Sequence, residues 1–102
     1  MIVESAILPI KTGEEQAFAA ALKAALPLIR ASKGFHKIEV RPCVEDGSKY
    51  LLLVWWETLE HHIVGFRGSA EYQDWRALLH HFYEPFPTVE HFTTAYPATK
   101  HE

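Results

Sequence analysis

The chain has 102 residues, which is enough for one domain with one core and too few for two. Hydrophobic residues make up 48% and charged residues 23%, and this balance excludes an intrinsically disordered chain. The net charge of −3 argues against nucleic-acid binding, because a nucleic-acid-binding domain presents a basic face. The single cysteine excludes an internal disulfide framework and makes the cytoplasm the expected compartment.

We expect no targeting segment. The first residues, MIVESAILPIK, include an acidic side chain and lack the basic region of a signal peptide. No run of 18 apolar residues is present, so we expect no membrane-spanning segment. We expect a single domain over residues 1–97, followed by a short tail over residues 98–102.

The first third of the chain predicts a strand followed by a helix. Residues 2–10 are rich in β-branched and apolar side chains, as strands are. A helix is predicted over residues 13–32, where apolar side chains recur at helical spacing. Thr12, with Glu15 three residues later, has the pattern of a capping box and predicts that the helix begins here. Pro27 is expected to kink this helix or to end its regular part.

Two strands joined by a hairpin are predicted next. Gly34 suits a left-handed helix stop, and residues 35–44 then alternate, with Phe35 on the same side as three charged side chains. Residues 45–48 contain the Asp-Gly pair of a tight turn, and residues 49–56 are apolar on both faces. One face of this strand carries Tyr50, Leu52, Val54 and Trp56, and the other carries Leu51, Leu53 and Trp55.

The remainder of the chain predicts a second helical region and a final strand. Thr58 caps the start of the helical region, and a break is expected near Gly68 and Ser69, with Ser69 capping the longer half. Pro85 lies beyond the end of the helix, and the alternating residues 88–96 predict the last strand.

The predicted order of elements is βαββαβ, which indicates an α+β, ferredoxin-like fold. This fold has a four-stranded antiparallel sheet with the first and third strands in the centre and both helices on one face. The third strand is apolar on both faces, so a single chain would leave one apolar face in water. We therefore expect a homodimer in which two sheets pack face to face as a dimeric α/β barrel. The alternative is a few tolerated surface leucines.

Histidine is abundant, with seven residues, but its spacing does not match a metal site. We expect His61, His80 and His81 to lie on solvated helix surfaces. His62 differs because it precedes Phe66 by one turn, on the face that should point at the sheet. A half-buried imidazole there can act as a base or donor. A structural hydrogen bond to the backbone is the alternative for His62.

An arginine and a tryptophan are further candidates. Arg76 lies four residues after Tyr72 and can border the inward helix face that runs through Tyr72 and Trp75. There it would bind an anion, whereas the alternative is a surface arginine whose stem covers the core. Trp56 ends the third strand, and its ring is either the floor for a flat substrate or part of the core.

The segment WETLEHHIVGFRGSAEYQDWRALLHHFYEPFPTVEHF resembles the antibiotic biosynthesis monooxygenase domain. The residues that carry the resemblance are Trp56, Glu57, Thr58, Glu60, His62, Phe66 and Ser69. The resemblance extends over nearly the whole chain and implies the ferredoxin-like fold and the dimer.

Two branches of this family can be compared with the chain. The cofactor-free oxygenases of aromatic polyketide pathways use a strand-end Trp and a helical Arg, which Trp56 and Arg76 match. They also use a Tyr and an Asn, at whose positions His62 and Leu52 stand. The haem-degrading branch needs an Asn on the first strand, a helical Trp and an iron-binding His. The nearest positions here are Ala6, Gly65 or Phe66, and Arg76, so haem is not expected.

The resemblance implies a monooxygenase that oxidises a small aromatic molecule, such as a phenol, anthrone or hydroquinone, with O₂ and without a cofactor or metal. In that interpretation His62 is the base, Arg76 the anion partner and Trp56 an aromatic wall. The implied substrate-binding residues are Leu52, Phe66, Tyr72 and Trp75. The alternative function is a dimeric small-molecule binding or accessory protein that uses the same cavity without turnover.

Overall fold

A computed structural model describes residues 1–100 and contains one four-stranded antiparallel sheet in the order β2-β3-β1-β4. The strands are β1 (Ile2–Pro9), β2 (Phe35–Pro42), β3 (Lys49–Trp56) and β4 (Val89–Phe92), and the α-helices are α1 (Glu15–Arg30) and α2 (Ala70–Leu79). The first and third strands lie in the centre, which confirms the predicted ferredoxin-like fold. None of the helices within residues 1–100 has the length and apolar character needed to cross a bilayer.

The core lies between one face of the sheet and the two helices. Alternate residues of β1 and β3 point inward, as the pairing of Ala6 with Leu52 shows, and both are nearly inaccessible to solvent. Helix α1 contributes Phe18 and Ile29, and α2 contributes Leu79. Burying one apolar face of each element in this way supplies most of the stabilisation of the domain.

Helix α1 differs from its prediction at both ends. It begins at Glu15 with Glu14 as the N-cap, and no side chain caps it, so the Thr12 capping box was wrong. Glu15 instead accepts a hydrogen bond of 2.6 Å from the hydroxyl of Ser48, in the β2–β3 turn. The helix also continues through Pro27 to Arg30, because Pro27 lies in its last turn and costs only one backbone hydrogen bond there.

A β-bulge at the start of β2 corrects the predicted alternation. Phe35 pairs with Trp56, whereas Lys37 pairs with the next residue of β3, Trp55, so one extra residue lies between them. Phe35 therefore points into the core, where its ring packs edge-on against Trp56 at 6.0 Å. Lys37 and the charged residues that follow point to the opposite face of the sheet.

The last strand is shorter than predicted. β4 ends at Phe92, which pairs with Val3, so almost none of β1 is left for a longer β4 to pair with. Residues 93–99 form no helix or strand. Of the predicted tail, residues 98–100 are described, and His101 and Glu102 lie outside the described residues.

Gly34 has φ +83°, which confirms the predicted left-handed stop, and a methyl group there would overlap the ring of His61. We expect Gly34→Ala to lower the free energy of unfolding by more than about 1 kcal/mol, because it adds this overlap to backbone strain. Urea denaturation followed by tryptophan fluorescence measures the effect.

Two other glycines separate these causes. Gly13 has φ +90° with open space around its Cα, so Gly13→Ala introduces backbone strain alone. Gly47 also has open space and does not have a positive φ, so Gly47→Ala introduces neither effect. The expected order of destabilisation is Gly34→Ala, then Gly13→Ala, then Gly47→Ala. Equal losses for the first two variants would show that the contact with His61 has no energetic effect.

Candidate active site

A π-helical turn over His61–Phe66 follows β3 and shapes the site. The Thr58 hydroxyl accepts from the backbone N–H of His61 at 3.3 Å, so this segment begins as predicted. The backbone N–H of Arg67 donates to the carbonyl of His62 at 3.0 Å, five residues back rather than four. Because this bond widens the turn by one residue, Arg67 lies on the same side of the turn as His62.

The predicted break between the two helical segments is present. The Ser69 hydroxyl accepts from the backbone N–H of Tyr72 at 3.1 Å and caps α2. The backbone N–H of Gly68 donates to the carbonyl of Val64, and a Cβ at position 68 would lie 2.5 Å from that oxygen. Only glycine therefore permits this close approach, which sets the direction in which α2 leaves the π-helical turn.

A cavity of about 360 Å³ lies between the inner face of the sheet, the π-helical turn and α2. A volume near the lower end of the usual range for small-molecule sites suits a compact ligand. Its apolar lining consists of Ala6, Leu8, Ile29, Leu52, Phe66, Trp75, Phe86, Pro87 and Val89. Its polar lining consists of Glu4, His62, Arg67, Tyr72, His80 and Tyr83.

Glu4 forms the buried floor of this cavity. It lies on β1, only 6% exposed, and one of its carboxylate oxygens (Oε1) accepts a 3.0 Å hydrogen bond from Trp56 Nε1. Burial raises the pKa of Glu4 to about 6, although the Trp56 bond and the positive charge of Arg67 act in the opposite direction. The carboxyl group therefore changes charge just below neutral pH, as a general acid or base requires.

His62 lies beside Glu4, with its ring stacked on Trp56 at 5.2 Å. Its Nε2 is 3.3 Å from Glu4 Oε1, and its Nδ1 is 2.8 Å from Nε2 of His91 on β4. Burial, and to a smaller extent the charges of Arg67 and His91, lower the pKa of His62 to about 3. The imidazole is therefore neutral at pH 7, and both of its nitrogens face protein groups.

Two of the three predicted catalytic residues do not reach the cavity. Trp56 is fully buried behind His62 and is a core residue rather than a wall of the cavity. Arg76 is exposed on α2, where its Nη1 donates to Gln73 at 3.3 Å, so it is the surface arginine of the alternative interpretation. The four predicted substrate-binding residues all line the cavity, and they are Leu52, Phe66, Tyr72 and Trp75.

Four polar lining residues were not anticipated from the sequence, namely Glu4, described above, and Arg67, His80 and Tyr83. Arg67 is exposed but lines the cavity, so it lies at the mouth. His80, expected on a solvated surface, is half-buried in the wall, where burial and, to a smaller extent, the charge of Arg76 lower its pKa. Burial also raises the pKa of Tyr83 above its usual range, with smaller contributions from Glu4 and Tyr72.

The sequence patterns that could have indicated Glu4 and Arg67 differ. Glu4 alternates with Ala6 and Leu8 along a central strand, and this places a carboxylate on the buried face. Arg67 follows Phe66 directly, and α-helical spacing directs it away from His62, so no sequence pattern indicates its position. Among residues 1–100, no group of three histidine, cysteine or acidic side chains is arranged to hold a metal ion.

The comparisons with known proteins agree with this fold. The family model for antibiotic biosynthesis monooxygenases matches residues 1–78, and the chain belongs to that family. YczJ of Bacillus subtilis (strain 168), an uncharacterised protein, is 58% identical over 92 residues, which cover 90% of this chain and 97% of YczJ.

Solved structures show the same similarity. A crystal structure from Bordetella bronchiseptica, named for the same family, has a TM-score of 0.87 and 34% identity, covering 92% of this chain and 96% of that one. The ActVA-Orf6 monooxygenase of Streptomyces coelicolor, solved with nanaomycin D, has a TM-score of 0.81 and 17% identity, covering 96% and 90%. At that identity the similarity shows the fold alone.

The raised pKa of Glu4 predicts a pH-dependent stability. Because its pKa rises from 4.5 unfolded to about 6 folded, Glu4 favours the folded state below pH 4.5, and this contribution is lost as the pH rises through 6. Glu4→Gln mimics the protonated form, so it should exceed the natural protein in unfolding free energy by about 2 kcal/mol at pH 8.

Urea unfolding at fixed protein concentration between pH 4 and pH 8 measures this difference. We expect the gap between Glu4→Gln and the natural protein to close as the pH falls from 6 to 4.5. His62 lowers the stability of both proteins on acidification, because the unfolded imidazole takes up a proton below about pH 6.5 while the folded one has a pKa of about 3, and this shared contribution cancels in the comparison. A gap that does not change with pH would contradict the raised pKa of Glu4.

Proposed function

We propose that the protein is a cofactor-independent monooxygenase that oxidises a small, flat, electron-rich phenol, anthrone or hydroquinone with O₂. The observation that carries the proposal is the buried Glu4 carboxylate, whose pKa is raised to about 6, on the floor of an aromatic-lined cavity. Family membership and the monooxygenase of the same fold support this class of reaction.

Glu4 is the base in this proposal, in place of His62. The carboxylate is ionised above pH 6 and has a lone pair available for a substrate proton in a site from which water is largely excluded. His62 and Trp56 hold Oε1 of Glu4 from two sides and set the direction of the carboxylate. His62 is a positioning residue here, since both of its nitrogens already face Glu4 and His91.

The reaction then follows from the electronic properties of the substrate. Removal of a C–H proton from an anthrone leaves an anion delocalised over its rings, and this anion passes one electron to O₂. The resulting radical and superoxide combine as a peroxide, which loses water to leave a ketone, so that one oxygen atom enters the product. Tyr72 and Tyr83 line the cavity, have no protein hydrogen-bond partner for their hydroxyls among residues 1–100, and are suitable donors to the developing oxyanion.

Oxygen uptake against a panel of anthrones and hydroquinones tests the proposal. We expect Glu4→Gln to lower kcat/KM by about 10²- to 10⁴-fold, because the substrate proton then has no acceptor. His62→Gln should lower it less, and activity should rise as the pH passes through 6 in the natural protein.

Matched surface variants provide the controls. Glu71→Gln and Arg76→Gln alter exposed residues of α2 outside the cavity and should leave oxygen uptake unchanged. A loss on Arg76→Gln equal to that on Glu4→Gln would restore the assignment made from sequence and contradict ours. Binding of the panel without oxygen uptake would identify the protein as the non-catalytic binding protein instead.

The protein is also proposed to act as a homodimer formed through the outer face of its sheet. On this face Leu51, Leu53 and Trp55 are half-buried, and Ile7 and Phe92 are 49% and 54% exposed. Lys37 lies over the Trp55 ring at 4.8 Å and forms an ion pair with Glu39 at its rim. A contiguous apolar face of this extent, bordered by charges, is typical of a protein interface.

Light scattering at micromolar concentration tests the dimer. We expect the natural protein to have twice the mass of one chain and Leu53→Lys to have the mass of one chain, because a buried lysine opposite its own copy would repel it. Lys23→Glu, on the exposed side of α1, provides the control for a charge change away from the sheet. A natural protein with the mass of one chain would disprove the dimer.

A further inference from the structure

The cavity lining carries opposite charges at different depths. Glu4 is a carboxylate at the buried end, and Arg67 is a guanidinium at the exposed end. His62, between them, is neutral at pH 7 because burial lowers its pKa. A ligand in this space therefore meets one negative charge at the floor and one positive charge at the mouth.

Arg67 has no ion-pair partner of its own within residues 1–100, although its charge reaches the cavity. Among the described residues that line the cavity, it alone has a permanent positive charge, and it lowers the pKa of Glu4, His62 and His91. The π-helical turn places it there, because the Arg67 N–H bonds to the carbonyl of His62 five residues earlier. Single π turns of this kind are frequent at functional sites.

Aromatic edges and faces form the walls between the two charges. The ring of Phe66 packs edge-to-face against both Tyr72, at 5.4 Å, and Trp75, at 5.7 Å. Across the cavity Ala6 and Leu52 provide a flat apolar surface from the sheet. These walls fit a small fused-ring body and offer no further fixed charge for a second ionic group.

We propose that the substrate is a small fused-ring aromatic anion that binds with its anionic group, a carboxylate or a phosphate, on Arg67 at the mouth and its neutral ring end toward Glu4. The inference rests on the proposed function, since it names the class of substrate for that cavity. A planar guanidinium fork suits either anionic group, whereas an anion placed at the floor would meet the Glu4 carboxylate. The arrangement therefore selects both the class of molecule and its orientation.

Binding of non-reactive probes tests this without turnover. 2-Naphthoate and 2-naphthamide have the same shape and differ in charge, and 2-naphthyl phosphate tests the second anionic group. By isothermal titration calorimetry at pH 7.5 and low salt, we expect 2-naphthoate to bind about tenfold more tightly than 2-naphthamide. Comparison of the affinities of 2-naphthoate and 2-naphthyl phosphate shows which anionic group the site binds more tightly.

Variants of two arginines assign the preference. Arg67→Gln should make 2-naphthoate and 2-naphthamide bind equally, while Arg67→Lys should retain part of the preference because it keeps the charge and loses the fork. Arg76→Gln, which changes an exposed arginine outside the cavity, should leave the tenfold preference intact. Equal binding of acid and amide to the natural protein, or binding of neither, overturns the proposal.

Glu4→Gln tests the orientation separately. With the carboxylate on Arg67 at the exposed mouth, removing the buried floor charge should strengthen 2-naphthoate binding by less than about threefold, since the ring body then separates the carboxylate from Glu4. A gain of tenfold or more would place the anionic group at the floor and overturn the stated orientation. None of these titrations depends on oxygen uptake, so a failed oxidation assay and a failed binding preference are separate results.

Discussion

The hydrogen bond from Trp56 to Glu4 is the interaction on which the site depends. A carboxylate on the inner face of a central strand is expensive to bury, and its raised pKa corresponds to about 2 kcal/mol of lost stability at neutral pH. Trp56 offsets part of this cost with its indole N–H and is itself held in the core by Phe35 and His62. The same contacts that lower the cost of burying the Glu4 carboxylate also orient it toward the cavity.

The second constraint is the change from α-helical to π-helical hydrogen bonding after β3. With four-residue bonds, His62 and Phe66 would face the sheet and Arg67 would point away. Five-residue bonding over His61–Phe66 keeps His62 and Phe66 buried, and the bond from the Arg67 N–H to the His62 carbonyl brings Arg67 to the cavity mouth. Gly68 allows the chain to close this turn tightly before Ser69 starts α2. The charge at the mouth is thus a consequence of backbone geometry in six residues.

Much of the fold was predictable because it follows from alternation and spacing. The two apolar faces of β3, the left-handed Gly34 and the Ser69 cap each depend on local rules, and the structure contains all three. The four predicted wall residues of the cavity follow from the same periodicity. Two features could not be predicted from local patterns: the β2 bulge and the start of α1 without a side-chain cap. Contacts with residues distant in sequence determine both.

The site was less predictable because it depends on the relative angular positions of elements and on burial. From the sequence, Arg76 can border the inward face of α2, but it lies on the exposed side, because packing decides which face of a helix is buried. In the sequence, Glu4 is simply an acidic residue near the N-terminus. Its place in the candidate site depends on the neighbouring strand β3, which provides Trp56. Residue type alone directed attention to a histidine and an arginine, and the proposal places the base and the anion partner on Glu4 and Arg67 instead of His62 and Arg76.

Burial disfavours the charged form of both Glu4 and His62. For the acid this raises the pKa to about 6, and for the imidazole it lowers the pKa to about 3, so the two groups do not form an ion pair near neutral pH. The carboxylate therefore remains a free base rather than one neutralised by a neighbouring imidazolium. Arg67 at the mouth brings a positive charge to the described lining, and in the proposed orientation it binds the anionic group of the substrate while the reacting ring lies toward Glu4.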